Sequence, residues 1–284
     1  MFIPRNHSFI QLSRLDKPIG IWLLMLPCWW GVALSYSPLQ IDFYFNLFLF
    51  FIGAISMRAA GCIINDLTDQ KFDGMVERTR SRPLVSGKAT PKQAFFYFIL
   101  MCGIGLMVFL CLSSLAKTLS LIAFVLLFIY PWMKRITYWP QLILGLAFNS
   151  GVLVAYANTA QTLNSLIWLI YLTGILWTLA YDTIYAFQDI EDDLKVGVKS
   201  TAILFKNNPK LLPVISYIGM FFVFIVTGMQ NSFSVYYWSG IALFSGVAFY
   251  LLLEWNPSDS LSSLKTFKRN QILGCIVFIS FVIS

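Results

Sequence analysis

Nine apolar runs dominate the chain, at about 18–36, 43–64, 93–113, 118–134, 138–157, 163–188, 210–230, 234–254 and 270–284. Crossing the hydrocarbon of a bilayer takes about 17–25 residues of helix, and most of these runs reach that length. The first is interrupted by Pro27 and the last is short. Lipid offers no hydrogen bonds, so only a helix satisfies a spanning backbone within its own segment. A transmembrane β-barrel would alternate apolar and polar residues in segments of about ten, whereas these runs are unbroken. The expected fold is an all-α polytopic membrane protein with nine transmembrane helices. Charge content agrees: 12% of residues are charged, against about 25% in a soluble domain.

The placement of charge says more than its sum. A net charge of +7 does not point to nucleic acid, because the basic residues sit in short segments between apolar runs. Eighteen of the twenty Lys and Arg residues fall on one side of the expected bundle, Lys117 falls on the other, and Arg58 lies inside a run. The positive-inside rule then makes the N-terminus cytoplasmic. The first 17 residues, with Arg5, Arg14 and Lys17, resemble neither a cleavable signal nor a mitochondrial presequence, so the expected location is the bacterial inner membrane. The five cysteines show no CxxC spacing and read as buried apolar residues. His7 is the one histidine, which leaves no basis for histidine-centred chemistry.

Two acidic clusters close the second and sixth runs. Asn65-Asp66-x-x-Asp69 and Gly74 recur 123 residues later as Gln188-Asp189-x-x-Asp192 and Gly197. The expected organisation is one domain, 1–284, with a pseudo-repeat of approximately 43–157 and 163–284. Asn65, Asp69 and Asp73 follow at intervals of four, with Asp66 three before Asp69, so at 3.6 residues per turn they share one broad helix face. Such hard oxygen donors suit Mg²⁺, which takes one or two carboxylates together with substrate phosphates. The second cluster adds Asp189, Asp192 and Asp193. The plain alternative is solvated acid at two helix ends, paired with loop lysines. Arg78, Arg80, Arg82 and Lys88 follow the first cluster, Lys195 and Lys199 the second, and Lys134 and Arg135 end the fourth run. Some of these meet phosphate, Arg as a fork and Lys as a point charge; topology accounts for the others.

Two charges lie deeper. Arg58 precedes Asn65 by seven residues, and Asp182 precedes Asp189 by seven. Seven residues is two helical turns, about 10 Å. Charges inside a membrane are costly and mark binding sites or pathways. Arg58 suits a substrate carboxylate, and Asp182 suits a catalytic role, facing a cation or taking a proton. The plain alternative is that the two only pair with each other across the bundle. Tyr181 and Tyr185 flank Asp182 and offer ring faces to a carbocation.

At these residues the chain resembles the UbiA superfamily of intramembrane aromatic prenyltransferases. NDLTDQKFD at 65–73 meets the pattern NDxxDxxxD, and YDTIYAFQDIEDDLKVGVKSTAILF at 181–205 resembles the second acidic motif. RLDKPIG at 14–20, MRAAG, RPLVSG and YPWMKR are similar to the branch that prenylates 4-hydroxybenzoate. The resemblance implies nine helices around a central cavity open to lipid. It implies Mg²⁺ held by Asn65, Asp69, Asp73, Asp189 and Asp193, with the diphosphate of a polyprenyl donor. Arg58 and Arg135 match the family's proposed acceptor and diphosphate arginines. With the residue reading, the expected set is Asp182, Asp69 and Asp189 for catalysis, and Arg58, Asn65, Arg82, Lys134, Arg135, Tyr185 and Lys199 for substrates. The implied reaction is transfer of the polyprenyl group to C3 of 4-hydroxybenzoate in ubiquinone biosynthesis.

Rival readings remain. Dihydroxynaphthoate, homogentisate or haem would serve as acceptor in the same superfamily. A cation transporter would spread its acids along a pore, but nine of the thirteen acids here (66, 69, 73, 77, 182, 189, 191, 192, 193) gather near one end. The DGxxAR signature of phospholipid phosphotransferases is absent.

Overall fold

The computed structural model describes residues 5–74 and 79–284, and the regular structure among those residues is all helical. Helix α1 spans Arg5–Leu12, α2 Ile19–Ala33, α3 Ile41–Asp73, α4 Pro91–Leu110, α5 Ser114–Ile136 and α6 Pro140–Ala160. They are followed by α7 at Ser165–Ala186, α8 Ile190–Val196, α9 Thr201–Leu204, α10 Leu211–Gln230, α11 Val235–Glu254 and α12 Ser260–Val282. Each of the nine apolar runs falls in one of the nine helices of fifteen residues or more. Seven of these are long and apolar enough to cross a membrane. The exceptions are α2, which has 15 residues, and α12, which carries Lys265, Lys268 and Arg269 in its first half.

The helix ends show where apolar runs and helices part. Helix α3 continues past the end of its apolar run at residue 64, as the shared helix face of its acids requires: its 33 residues run about 50 Å, beyond a hydrocarbon core of about 30 Å. The whole NDLTDQKFD segment is therefore helical. The second motif is built differently, since α7 stops at Ala186, a 3₁₀ turn covers Phe187–Asp189, and α8 is seven residues long. Gly197, at φ 76, ends α8 in a left-handed conformation that glycine adopts without strain. Helix α12 begins ten residues earlier than its apolar run because Asp259 caps it, accepting from the Leu261 amide at 2.9 Å. Its basic residues are thus on the helix, not in a loop.

The helices form a ring in which α2, α3 and α4 pack in sequence, α5 packs on α6, α6 on α7, and α7 on α10, with α11 and α12 returning to α2. Helix α2 also leans on α6, and α12 on α7. Lipid is as apolar as a leucine core, so close packing and hydrogen bonds must hold such a bundle together. Trp30 and Trp177 supply both. Each is fully buried, their rings lie 5.3 Å apart, and their indole N–H groups donate to the Gly274 carbonyl at 3.0 Å and Asn270 Oδ1 at 3.3 Å. That knot fastens α2, α7 and α12. Contact between α4 and α5 is slight, and a cavity lies inward of it.

Candidate active site

The cavity measures about 1170 Å³ and is walled chiefly by α2 to α7. Its mouth is acidic: Asn65, Asp66, Asp69 and Asp73 line one wall, with Asp189 and Asp193 also lining the cavity. Its interior is apolar, with Leu23, Phe50, Met57, Leu106, Phe124 and Val154 among the lining residues. Phe50 and Asp69 are 19 residues apart on α3, so the space extends about 28 Å along that helix.

Each carboxylate of the first motif is met by a base. Arg14 Nη2 holds both oxygens of Asp66 at 2.9 Å, and Arg82 Nη1 reaches Asp66 Oδ1 at 3.0 Å and Asp73 Oδ2 at 2.5 Å. Asp69 pairs with Lys134 and, at 3.3 Å, with Arg135. These acids are almost wholly buried: Asp66 is 2% exposed, Asp69 1% and Asp73 7%. Burial pushes the Asp73 carboxyl above its ordinary value, the Arg82 guanidinium works against that rise, and neighbouring Asp69 adds to it. The loop after the motif folds back over it. Thr79 donates to the Asp73 carbonyl at 2.7 Å, and Gln70 donates to the Leu84 carbonyl at 3.1 Å. Glu77 and Arg78 lie outside the described residues.

The second motif is divided. Asp189 and Asp193 line the cavity, whereas Asp192 is outside the lining and accepts from Lys195 at 3.2 Å. Lys199 lines the cavity, donates to the Ile136 carbonyl at 3.1 Å and lies over the Tyr138 ring, which ties the second loop to the end of α5. Arg135 is placed differently from its neighbour Lys134: it lies over Trp132, beside the mouth, and is not part of the lining.

Arg58 and Asp182 both line the cavity below the mouth. The Arg58 guanidinium lies 5.7 Å from the Phe148 ring centroid, and its buried Nε has no hydrogen-bond partner. Tyr181 and Tyr185 line the same region and both pack tilted against Phe267, with ring centroids 5.9 and 4.4 Å away. The Tyr181 hydroxyl is fixed by Thr178 at 3.0 Å, which in turn accepts from Asn149 at 2.8 Å. A carboxylate-sized anion entering this space meets an oriented guanidinium against an aromatic wall.

Three lining residues lie inside quoted motifs but received no site role from the sequence. Arg14 opens RLDKPIG and was otherwise counted among the topological charges. Tyr130 opens YPWMKR and lines the cavity one turn before Lys134, and that i, i+4 spacing on one face was an available signal. Gly20 closes RLDKPIG and lies where a Cβ would come within 2.2 Å of Arg58 Nε; nothing in its residue type points to that neighbour.

Among the described residues no three acids, cysteines or histidines close on one point. The donors therefore do not form a closed protein cage. They face a shared space as carboxylates do around a metal whose remaining ligands are water and substrate phosphate.

Comparison with known proteins agrees with this architecture. Residues 24–281 match the model of the UbiA prenyltransferase family. The 4-hydroxybenzoate octaprenyltransferase of Pseudomonas entomophila (strain L48) is 39% identical over 282 residues, covering 99% of this chain and 94% of that one. That of Psychromonas ingrahamii is 36% identical over 277 residues, covering 96% and 95%. Among solved structures, a UbiA homologue from Aeropyrum pernix K1 superposes with a TM-score of 0.77 at 21% identity, covering 99% of this chain and 98% of that one. A UbiA homologue from Archaeoglobus fulgidus, bound to GPP and Mg²⁺, gives 0.70 at 16% identity, covering 96% and 99%. A helical membrane bundle with two acidic motifs at the mouth of an apolar cavity, matched along nearly its whole length, belongs to the UbiA prenyltransferase family.

Proposed function

We propose that this protein transfers a polyprenyl group from polyprenyl diphosphate to C3 of 4-hydroxybenzoate, releasing diphosphate, in ubiquinone biosynthesis. One observation carries the reading beyond the relatives' names: a single cavity joins an acid- and base-lined mouth to an arginine whose buried Nε has no hydrogen-bond partner and to an apolar interior. Those parts match the three ends of the two substrates. The diphosphate suits the mouth, the carboxylate of the acceptor suits Arg58, and the prenyl chain suits the apolar walls.

Asn65, Asp69, Asp73, Asp189 and Asp193 would hold Mg²⁺ at the mouth, as suits hard oxygen donors that share the ion with phosphate. When bound, Mg²⁺ supplies positive charge to the diphosphate oxygens and makes the group easier to release. Arg82 and Lys134 add fixed charge on the same side, and preorganised charge of this kind lowers the barrier to ionisation. The allylic C–O bond breaks with its electron pair leaving on the diphosphate. Tyr181, Tyr185 and Phe267 exclude water and present ring faces to the allylic cation. Arg58 orients the acceptor so that ring C3, ortho to the hydroxyl, forms the new carbon–carbon bond. Asp182 then takes the C3 proton, which restores the aromatic ring. The mouth faces the cytoplasm of a bacterial inner membrane, and nine spans with two pseudo-repeated motifs build the domain.

Membranes containing the protein should convert 4-hydroxybenzoate and geranyl diphosphate to 3-geranyl-4-hydroxybenzoate when Mg²⁺ is present and not when it is chelated. Asp69→Ala and Asp189→Ala should abolish turnover in protein that still inserts. Absence of product from a competent donor with Mg²⁺ defeats the assignment, and full activity in either variant defeats the metal sites.

A further inference from the structure

We propose that Asp66 is a positioning residue and not a metal ligand: with Arg14 it fixes the Arg82 guanidinium at the cavity mouth, where Arg82 meets the donor diphosphate. The proposal rests on the prenyl-transfer reading above and assigns a division of labour within its first acidic motif.

Asp66 has little capacity left for a metal. A carboxylate offers roughly four acceptor sites, and here Arg14 takes one on each oxygen while Arg82 takes another on Oδ1. At 2% exposure the group is nearly closed to water. Arg14 is held on its other side as well, because its Nη1 donates to the Gln11 carbonyl at 2.7 Å. Its backbone lies at φ 57, a left-handed conformation that a non-glycine residue keeps only where the surroundings impose it.

The same apolar patch anchors both arginines. Leu12, two residues before Arg14, and Leu84, two residues after Arg82, are buried in one cluster with Ile63 of α3. Arg82 therefore cannot follow Asp73 freely. Asp66 and Asp73 lie seven residues apart, two turns along one face of α3, and Arg82 Nη1 bridges them. If Asp73 turns its oxygens to a metal, Asp66 is the group that keeps Arg82 in place. Asp69 is met instead by Lys134 and Arg135 of α5.

Purified protein can separate the two roles. Mn²⁺ affinity is read by electron paramagnetic resonance, and donor affinity by titration with geranyl thiolodiphosphate, an unreactive donor analogue. Asp66→Asn and Arg14→Gln are expected to keep Mn²⁺ affinity within about two-fold and to weaken analogue binding about ten-fold or more, the scale of a lost charge-assisted hydrogen bond. Asp69→Asn is expected to lose Mn²⁺. Asp66→Glu should restore part of the analogue affinity, and Arg14→Gln leaves the Asp66 side chain in place should Asp66→Asn misfold. Loss of Mn²⁺ in Asp66→Asn comparable to that in Asp69→Asn overturns the proposal, as does unchanged analogue affinity in both variants. A wild-type protein that binds neither probe overturns the prenyl-transfer reading itself.

Discussion

At the scale of single residues, the seat of Arg58 is a glycine on another helix. Gly20 is the second residue of α2, and a Cβ there would come within 2.2 Å of Arg58 Nε and 2.6 Å of its Cζ. A valine at this position has to push the guanidinium off Phe148, so acceptor binding should suffer while donor binding does not. Gly20→Val is expected to raise KM for 4-hydroxybenzoate about ten-fold, equivalent to roughly 1.4 kcal/mol, with KM for geranyl diphosphate unchanged. Steady-state kinetics in membranes would test this, and equal rises in both constants would argue against it. Arg58→Lys should not substitute, because an ammonium lacks the planar fork that grips a carboxylate. Arg58 and the acids were legible in the sequence because charge inside or at the end of an apolar run is costly and stands out. Gly20 was not, since a helical glycine carries no chemical sign of what packs against it. Arg14 opens the quoted RLDKPIG segment, but its role was not legible, because it sits among residues that membrane topology already explains.

At the scale of helices, close approach is what the small residues provide. Gly31 on α2 faces α6 so tightly that a Cβ would meet the Val152 carbonyl oxygen at 2.4 Å. A backbone atom cannot swing away, so the helices must separate. Gly31→Ala should therefore destabilise the protein by about 1–3 kcal/mol, the usual cost of overpacking. Gly103 and Gly246 have nothing within 4 Å of a Cβ, and alanine there should be neutral or stabilising by up to about 1 kcal/mol. Thermal unfolding in detergent would compare the three, and equal behaviour would refute the packing account. Apolar runs located the long helices well, because lipid demands helix wherever the run is long enough. They failed where polar residues continue a helix, as in the last two turns of α3 and the first two of α12. The acid-rich end of α3 is helical because the loop from Thr79 to Leu84 bonds back onto it, and hydropathy does not register a tertiary contact of that kind. The second motif matches the first in sequence but not in shape, since Phe187 packs on Trp255 at the turn where α7 breaks. Sequence likeness therefore did not carry over to the backbone, and of the repeated acids Asp189 lines the cavity while Asp192, the counterpart of Asp69, does not.

At the scale of the whole molecule, the cavity and the charge distribution make one claim together: the mouth opens on the side that carries the basic residues. Arg82, Lys134 and Lys199 line the mouth, and they belong to the eighteen basic residues assigned to one face by sequence. No pattern in the sequence could pair α2 with α6 or seat Arg58 under Phe148, but the sidedness follows from alternation of helices alone. Lys88 is exposed in the loop beside the first motif, and Leu39, 94% exposed, lies in the loop between α2 and α3 at the opposite ends of those helices. In a Cys111→Ser background, which removes the exposed native thiol, single variants Lys88→Cys and Leu39→Cys can report the two sides. In right-side-out spheroplasts a membrane-impermeant maleimide should label Leu39→Cys and spare Lys88→Cys, and permeabilised cells should label both. The reverse pattern would place the diphosphate site outside the cytoplasm, where it would face away from cytoplasmic 4-hydroxybenzoate. In the proposed reading the basic residues set both the orientation and the grip on the donor, so moving enough of them to invert the protein should also abolish its chemistry. Topology and catalysis would then draw on the same charges, which is why sequence alone could not divide Arg82 from its neighbours, and why the division comes from which carboxylate each one meets.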